Sequence, residues 1–152
     1  MKAKGAETAT VLDTFIQSIV IAAPVEKVFA YMTDPRHYQD WVTVKITRLA
    51  GEGLGSSYQW VSEIEGMEFH SQTAIVEYAP NQKLLYYFTG DAAGYMPIFF
   101  QPVPGGTKVT WVITLAAKVP SSAEPARDEI VKAVRETHEQ SLQKIKAAVE
   151  KS

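Results

Sequence analysis

Between Val42 and Lys118 apolar and polar residues alternate with a period of two. The alternation breaks at Gly51/Gly53/Gly55, Glu65-Gly66, Ala79-Pro80-Asn81, Gly90 to Gly94 and Pro104-Gly105-Gly106. Short alternating runs bounded by turn residues predict strands, here six of them joined as a meander. A two-residue turn at Glu65-Gly66 fixes the register of one hairpin: Ile64 opposite Met67, Ser62 opposite Phe69, Trp60 opposite Ser71 and Tyr58 opposite Thr73. These pairs make one aromatic and apolar face, while Glu63 with Glu68, Val61 with His70 and Gln59 with Gln72 make a mostly polar one. In the last strand Val109, Trp111, Ile113 and Leu115 share the better inward face.

The flanks have other rhythms. Asp13 to Ile21 is rich in β-branched residues and predicts a first strand, handed over at Pro24 to a short helix with Val25, Val28, Phe29 and Met32 on one face. Asp34 as N-cap and Pro35 as first helical residue start a second short helix, ending near Trp41. From Ala123 to about Glu150 a 3.6-residue period gathers Ile130, Val134, Thr137, His138, Ser141, Leu142, Ile145, Ala148 and Val149 on one side of a long helix. Pro125 is tolerated there because it falls in the first turn. Residues 1–12 hold little to bury and read as a loose tail, with residues 13–152 as a single domain.

The order strand, two short helices, six strands, long helix predicts an α+β fold in which a curved seven-stranded antiparallel sheet wraps around the C-terminal helix. The inward set mixes wide aromatics with small hydroxyl residues, which suits a hollow better than a close-packed core. The residues placed around that hollow are Tyr58, Trp60, Phe69, Ser71, Thr73, Tyr86, Phe99, Trp111, Val134, Thr137, His138, Ser141 and Leu142. The aromatics Tyr58, Trp60, Phe69, Tyr86, Phe88, Phe99 and Trp111 also fit plain core, the commoner fate of such residues, and Met32, Met67 and Met96 read as gap-fillers in either case.

Composition narrows the partners. The 152 residues carry 15 basic and 17 acidic side chains with no block of either sign, which argues against a nucleic-acid surface. There is no cysteine, hence no disulfide or thiolate, in keeping with a cytoplasmic location. No apolar run reaches the roughly 20 residues that a membrane helix needs, so no stable membrane insertion is expected. The partner expected is a hydrophobic small molecule, with the chain as monomer or homodimer.

Three segments in order carry a family resemblance: Ile19 to Asp40 (IVIAAPVEKVFAYMTDPRHYQD) followed by Trp41, then Val76-Glu77-Tyr78-Ala79-Pro80, then Gly105-Gly106-Thr107-Lys108-Val109-Thr110-Trp111. With the long helix after them, the chain from about Phe15 to Val149 resembles the START and birch-pollen-allergen helix-grip superfamily, in its bacterial polyketide cyclase/dehydrase-like and lipid-transport-like branch. The resemblance implies a cavity between sheet and C-terminal helix that binds lipids, sterols, polyketides or similar metabolites. It implies no single reaction, no cofactor and no catalytic set that transfers position by position.

Candidate chemistry is sparse. His138 stands on the inward face of the long helix, either as a hydrogen-bonding or general-base group, or as a histidine satisfied by a nearby hydroxyl or backbone carbonyl or reaching water at the edge of the stripe; the second is the commoner fate. His70 should point outward with Glu68 and Gln72, and His37 lies in a polar turn beside Asp34, Arg36, Tyr38 and Asp40. The three histidines sit on separate elements, so no metal site is expected. Glu77 would point inward in an unbroken strand, or meet water if the strand bulges before Pro80; the latter avoids an unpaired buried carboxylate. No Gly-x-Ser-x-Gly elbow is present for acyl transfer, and Gly51-Glu52-Gly53-Leu54-Gly55 lies between strands, not in a phosphate-binding strand-to-helix loop. Two functions follow as expectations: binding, and in some settings transport, of a hydrophobic ligand, or a cyclase/dehydratase-type enzyme using His138 and hydroxyls for proton transfer.

Overall fold

The computed structural model describes residues 8–152. The chain runs through β1 (Thr8–Ile21), α1 (Val25–Thr33), a 3-10 turn (Pro35–His37), α2 (Tyr38–Trp41), then β2 (Lys45–Ala50), β3 (Ser57–Ile64), β4 (Met67–Ala79), β5 (Lys83–Gly90), β6 (Ala92–Val103) and β7 (Gly106–Pro120). A second 3-10 turn (Ser121–Ala126) leads into α3 (Arg127–Lys151). The strands form one curved antiparallel sheet in the order β1-β7-β6-β5-β4-β3-β2, closed over α3.

Local sequence explains the turns. Glu65 and Gly66 both take positive φ, 52° and 77°, as a two-residue hairpin turn of the twisted kind requires. The β3–β4 register follows from it: Tyr58 pairs with Thr73, Trp60 with Ser71, Ser62 with Phe69 and Ile64 with Met67. The Asp34 carboxylate accepts from the Arg36 backbone N–H at 2.9 Å and so caps the first 3-10 turn, with Pro35 at its start. At Pro125 the expected α-helix gives way to 3-10 geometry, because proline offers no N–H to the preceding turn and crowds its carbonyl. Regular α-helix therefore begins at Arg127, four residues later than the periodicity suggests.

Strand β1 starts at Thr8, not Asp13. Thr8 to Leu12 find partners in Pro120 to Ala116 and continue the ladder, with Val11 buried. The part of the expected tail at residues 8–12 is thus strand, and residues 1–7 lie outside the described residues. The β1 rim is fastened by α3: Arg127 donates to the Leu12 carbonyl and Lys146 to the Val20 carbonyl, both at 3.0 Å. Arg135 grips Asp13 through two bonds of 2.7 and 2.9 Å. That guanidinium holds the Asp13 carboxyl below the usual carboxylate range. Occupying edge carbonyls in this way blunts a strand that would otherwise invite pairing.

The core lies between sheet and helix. Val134, Leu142, Ile145 and Val149 of α3 share one buried cluster with Ile21, Leu84, Ile98, Val109, Trp111 and Ile113 of the sheet, and Ile130 joins Val11, Phe69, Ala117 and Val119 in a second. Each such aliphatic side chain contributes roughly 1.5–3 kcal/mol by leaving water. Phe99 is not among them. Met96, Ile98 and Phe100 take the inward positions of β6, so Phe99 faces outward, 42% exposed, with the Lys83 ammonium 5.7 Å from its ring centre. Adjacent phenylalanines cannot both face the core of one strand. Glu77 also meets water: β4 slips register between Ile75 and Glu77, and the freed carboxylate pairs with Lys83 at 2.7 Å.

Candidate functional site

Sheet and α3 do not close completely. Two hollows remain beneath the helix, of about 70 Å³ and about 50 Å³. The larger is lined by Tyr58, Trp60, Thr73, Tyr86, Phe88, Met96, Trp111 and Leu115 from the sheet, Trp41 to Val44 from the end of α2 and the segment after it, and Thr137, His138 and Ser141 from α3. The smaller is bounded by Val44, Trp60, Ser62, Ile64, Phe69, Ala92, Leu115, Ala117, Ile130, Val134, Thr137 and His138. Val44, Trp60, Leu115, Thr137 and His138 border both and form the partition between them. Both are smaller than the roughly 300–1,000 Å³ clefts that hold drug-sized molecules, so a bulky guest requires the partition or the walls to shift.

Ten of the thirteen residues expected around a cavity line one hollow or the other: Tyr58, Trp60, Phe69, Thr73, Tyr86, Trp111, Val134, Thr137, His138 and Ser141. Three do not. Phe99 is on the outer face, Leu142 is fully buried in packed core, and the Ser71 hydroxyl is spent on the backbone. It donates to the Ala92 carbonyl at 3.1 Å and accepts from the Ala92 N–H at 2.9 Å, bracing the tight bend at Asp91. Phe88, Met96 and Leu115 line the larger hollow, and Ser62, Ile64, Ala92, Ala117 and Ile130 the smaller, without belonging to the expected set. Trp41 and the Val42–Val44 stretch are likewise outside it. Their signal was the unbroken apolar run Trp41-Val42 directly after the second short helix, where a solvated turn would carry polar residues.

The polar groups of the larger hollow are individually placed. Trp60 Nε1 donates to Thr73 Oγ1 at 2.8 Å, and Trp111 Nε1 to Gln17 Oε1 at 3.0 Å. Thr137 returns its hydroxyl to the Ala133 carbonyl at 2.8 Å, and Thr43 donates to the Thr137 carbonyl at 3.3 Å, tying the segment after α2 to α3. The phenols of Tyr58 and Tyr86 are both pushed up from their ordinary pKa, chiefly by burial, and stay protonated.

His138 has the backbone carbonyl partner of a satisfied core histidine. Its Nδ1 lies 2.9 Å from the Val134 carbonyl one turn back, and since a carbonyl only accepts, Nδ1 carries the proton. The ring sits edge-on to Phe15 and Trp111, with centroids 5.7 and 6.0 Å away. Burial pulls its pKa below the ordinary histidine value, outweighing the backbone bond that favours the charged form. The neutral ring then offers Nε2 as an acceptor. Sign and window follow: near and just below pH 6.5 the unfolded chain binds this proton and the folded one does not, so stability rises with pH there and levels off above. Urea midpoints measured from about pH 5.5 to 7.5 should show that rise, at no more than about 1.4 kcal/mol per pH unit, and His138→Gln should flatten it.

The other histidines stand apart. His70 is exposed and its Nε2 lies 2.9 Å from the Glu68 carboxylate, as the hairpin register implies. His37 stacks on Tyr31, ring centres 4.5 Å apart, outside both hollows. No cluster of three or more His, Asp or Glu able to hold a metal occurs among the described residues. Nor, among them, is any helix long and apolar enough to cross a membrane.

A seven-stranded antiparallel sheet closed over one C-terminal helix, with hollows at their junction, defines a helix-grip protein. Within that class the chain belongs to the family described as polyketide cyclase/dehydrase and lipid transport, whose model matches residues 13–150. Solved structures agree on the fold. An uncharacterized protein of Rhizobium leguminosarum superposes with a TM-score of 0.73 at 16% identity, over 96% of this chain and 99% of that one. The protein Ara h 8.0201 gives 0.66 at 15% identity, over 93% and 99%. The di-domain ARO/CYC protein StfQ of the steffimycin biosynthetic pathway gives 0.68 at 18%, over 93% of this chain and 51% of that one. No curated protein sequence matches.

Proposed function

We propose that the protein binds a small hydrophobic molecule between the sheet and α3, as a binding or carrier domain. The observation that supports this is the pair of adjoining hollows, bordered almost wholly by aromatic and aliphatic side chains and set with a few hydroxyls, in a position where a merely structural core would interlock. The family description, which names both a cyclase/dehydrase activity and lipid transport, is in keeping with it.

All three tryptophans of the chain, Trp41, Trp60 and Trp111, line the larger hollow, so intrinsic fluorescence reports its occupancy directly. Titration with a panel of neutral ring compounds, fatty acids and sterols should give saturable quenching for at least one class. A flat response to every class, together with no copurifying molecule in an organic extract, would defeat the proposal.

A second reading, a cyclase/dehydratase-type enzyme, is favoured by one observation: His138 is held as a single neutral tautomer with Nε2 unspent beside the hollow. Such a group abstracts a proton when a substrate presents one. Unchanged turnover of an identified substrate by His138→Ala would remove that role.

A further inference from the structure

The larger hollow has an uneven supply of hydrogen-bonding groups. Two donors on its walls have no partner among the described residues: the indole N–H of Trp41 and the phenol of Tyr86. Neither reaches solvent, Trp41 being 3% exposed and Tyr86 1%. Indole nitrogen can only donate. Burial of Tyr86, reinforced by the nearby phenols of Tyr58 and Tyr38, keeps its proton in place. Unpaired buried donors cost stability, and native proteins leave few of them. The nearest polar side chains of the wall are engaged elsewhere, Thr73 Oγ1 accepting from the Trp60 indole and Gln17 Oε1 from the Trp111 indole, and neither stands within bonding distance of Trp41 Nε1 or the Tyr86 hydroxyl.

Across the same hollow His138 supplies the complement. With Nδ1–H committed to the Val134 carbonyl, the neutral ring has one free site, the Nε2 lone pair. No Lys or Arg borders either hollow. A carboxylate or phosphate brought inside would therefore lose its hydration without gaining a counter-charge. The hollows together hold little more than a small ring system, which also argues against a long acyl chain.

We infer that the hollow takes a neutral hydroxy-ketone of one or two rings, its oxo group accepting from Trp41 and Tyr86 and its hydroxyl donating to His138 Nε2, in preference to fatty acids or phospholipids. This rests on the binding function proposed above and narrows its ligand class. The donors and acceptor stand ready in the free protein, so the ligand replaces bonds that the chain leaves unmade.

Calorimetric titration of the full chain with three matched probes tests it: 6-hydroxy-1-tetralone, 5,6,7,8-tetrahydro-2-naphthol, which lacks the oxo group, and 6-hydroxy-2-naphthoate, which carries a carboxylate. The tetralone should bind about tenfold tighter than either, one good hydrogen bond being worth about that factor. Tyr86→Phe and Trp41→Phe should each remove most of the tetralone's advantage over the naphthol. Because the phenol has no partner to lose, Tyr86→Phe should also leave the urea midpoint of the free protein equal to or above the parent's. Should Tyr86→Phe fail to fold, Trp41→Phe carries the same affinity readout. Equal binding of tetralone and naphthol, tighter binding of the naphthoate, or a lowered urea midpoint for Tyr86→Phe would each overturn the ligand class while leaving a binding function in place. No binding of any probe would likewise overturn the ligand class, and the fluorescence panel and organic extract then decide the binding function by themselves.

Discussion

Replacing Trp111 by alanine is expected to lower stability by about 3–5 kcal/mol, the usual cost of deleting a large buried aromatic. The indole is 1% exposed, packs edge-on to His138 and donates to Gln17, so its removal opens a cavity, frees the histidine ring and strands a glutamine carbonyl on β1 at once. Denaturant titration should show the midpoint falling with the slope m unchanged, since the surface exposed on unfolding scarcely alters. A loss under about 1 kcal/mol would mean that the surrounding side chains collapse into the gap, and that this wall of the hollow is softer than its burial implies.

Gly94→Ala should be at least as severe, by more than about 3 kcal/mol, although it adds a single methyl group. A Cβ built there would lie 1.9 Å from the Thr114 carbonyl oxygen, a backbone atom of the neighbouring strand, at a φ of +152°. Relief requires β6 and β7 to separate where Tyr95 pairs with Thr114 and Gly94 with Leu115. Gly66→Ala is the contrasting case. Its Cβ would meet nothing within 4 Å, so only the positive φ is penalised, at about 1–2 kcal/mol. Thermal and urea unfolding of the two variants side by side separates steric collision from backbone strain; equal losses would refute the collision.

The parts of this fold that sequence makes legible are those under local control. A two-residue turn leaves a hairpin one register, so Glu65-Gly66 was enough to pair Tyr58 with Thr73 near the far end of β3. The buried stripe of α3 likewise follows from a 3.6-residue period, down to His138 facing the sheet. Features that depend on distant partners were hidden. Thr8 to Leu12 become strand only because Ala116 to Pro120, more than a hundred positions away, offer a ladder. Ser71 has inward parity, yet its hydroxyl serves a backbone bend that no pattern announces. Phe99 and Phe100 are equal candidates in composition, and the inward run through Met96 and Ile98 decides between them. The hollows are what packing leaves over, and leftover volume has no residue code.

The polar fastenings of α3 bear on how a guest gets in. Arg127, Arg135 and Lys146 stitch the helix along the length of β1, so swinging it outward means breaking several charge-assisted bonds together. The stretch from Val42 to Val44 borders the same space; Gln39 of α2 donates to its Val42 and Val44 carbonyls, and among the described residues only the Thr43 hydroxyl, against the Thr137 carbonyl and Ser141, pins it to α3. Local opening follows the route with the fewest bonds to break. In the binding function proposed above, this short strap is the element expected to move, with the long helix as the fixed jamb beside it.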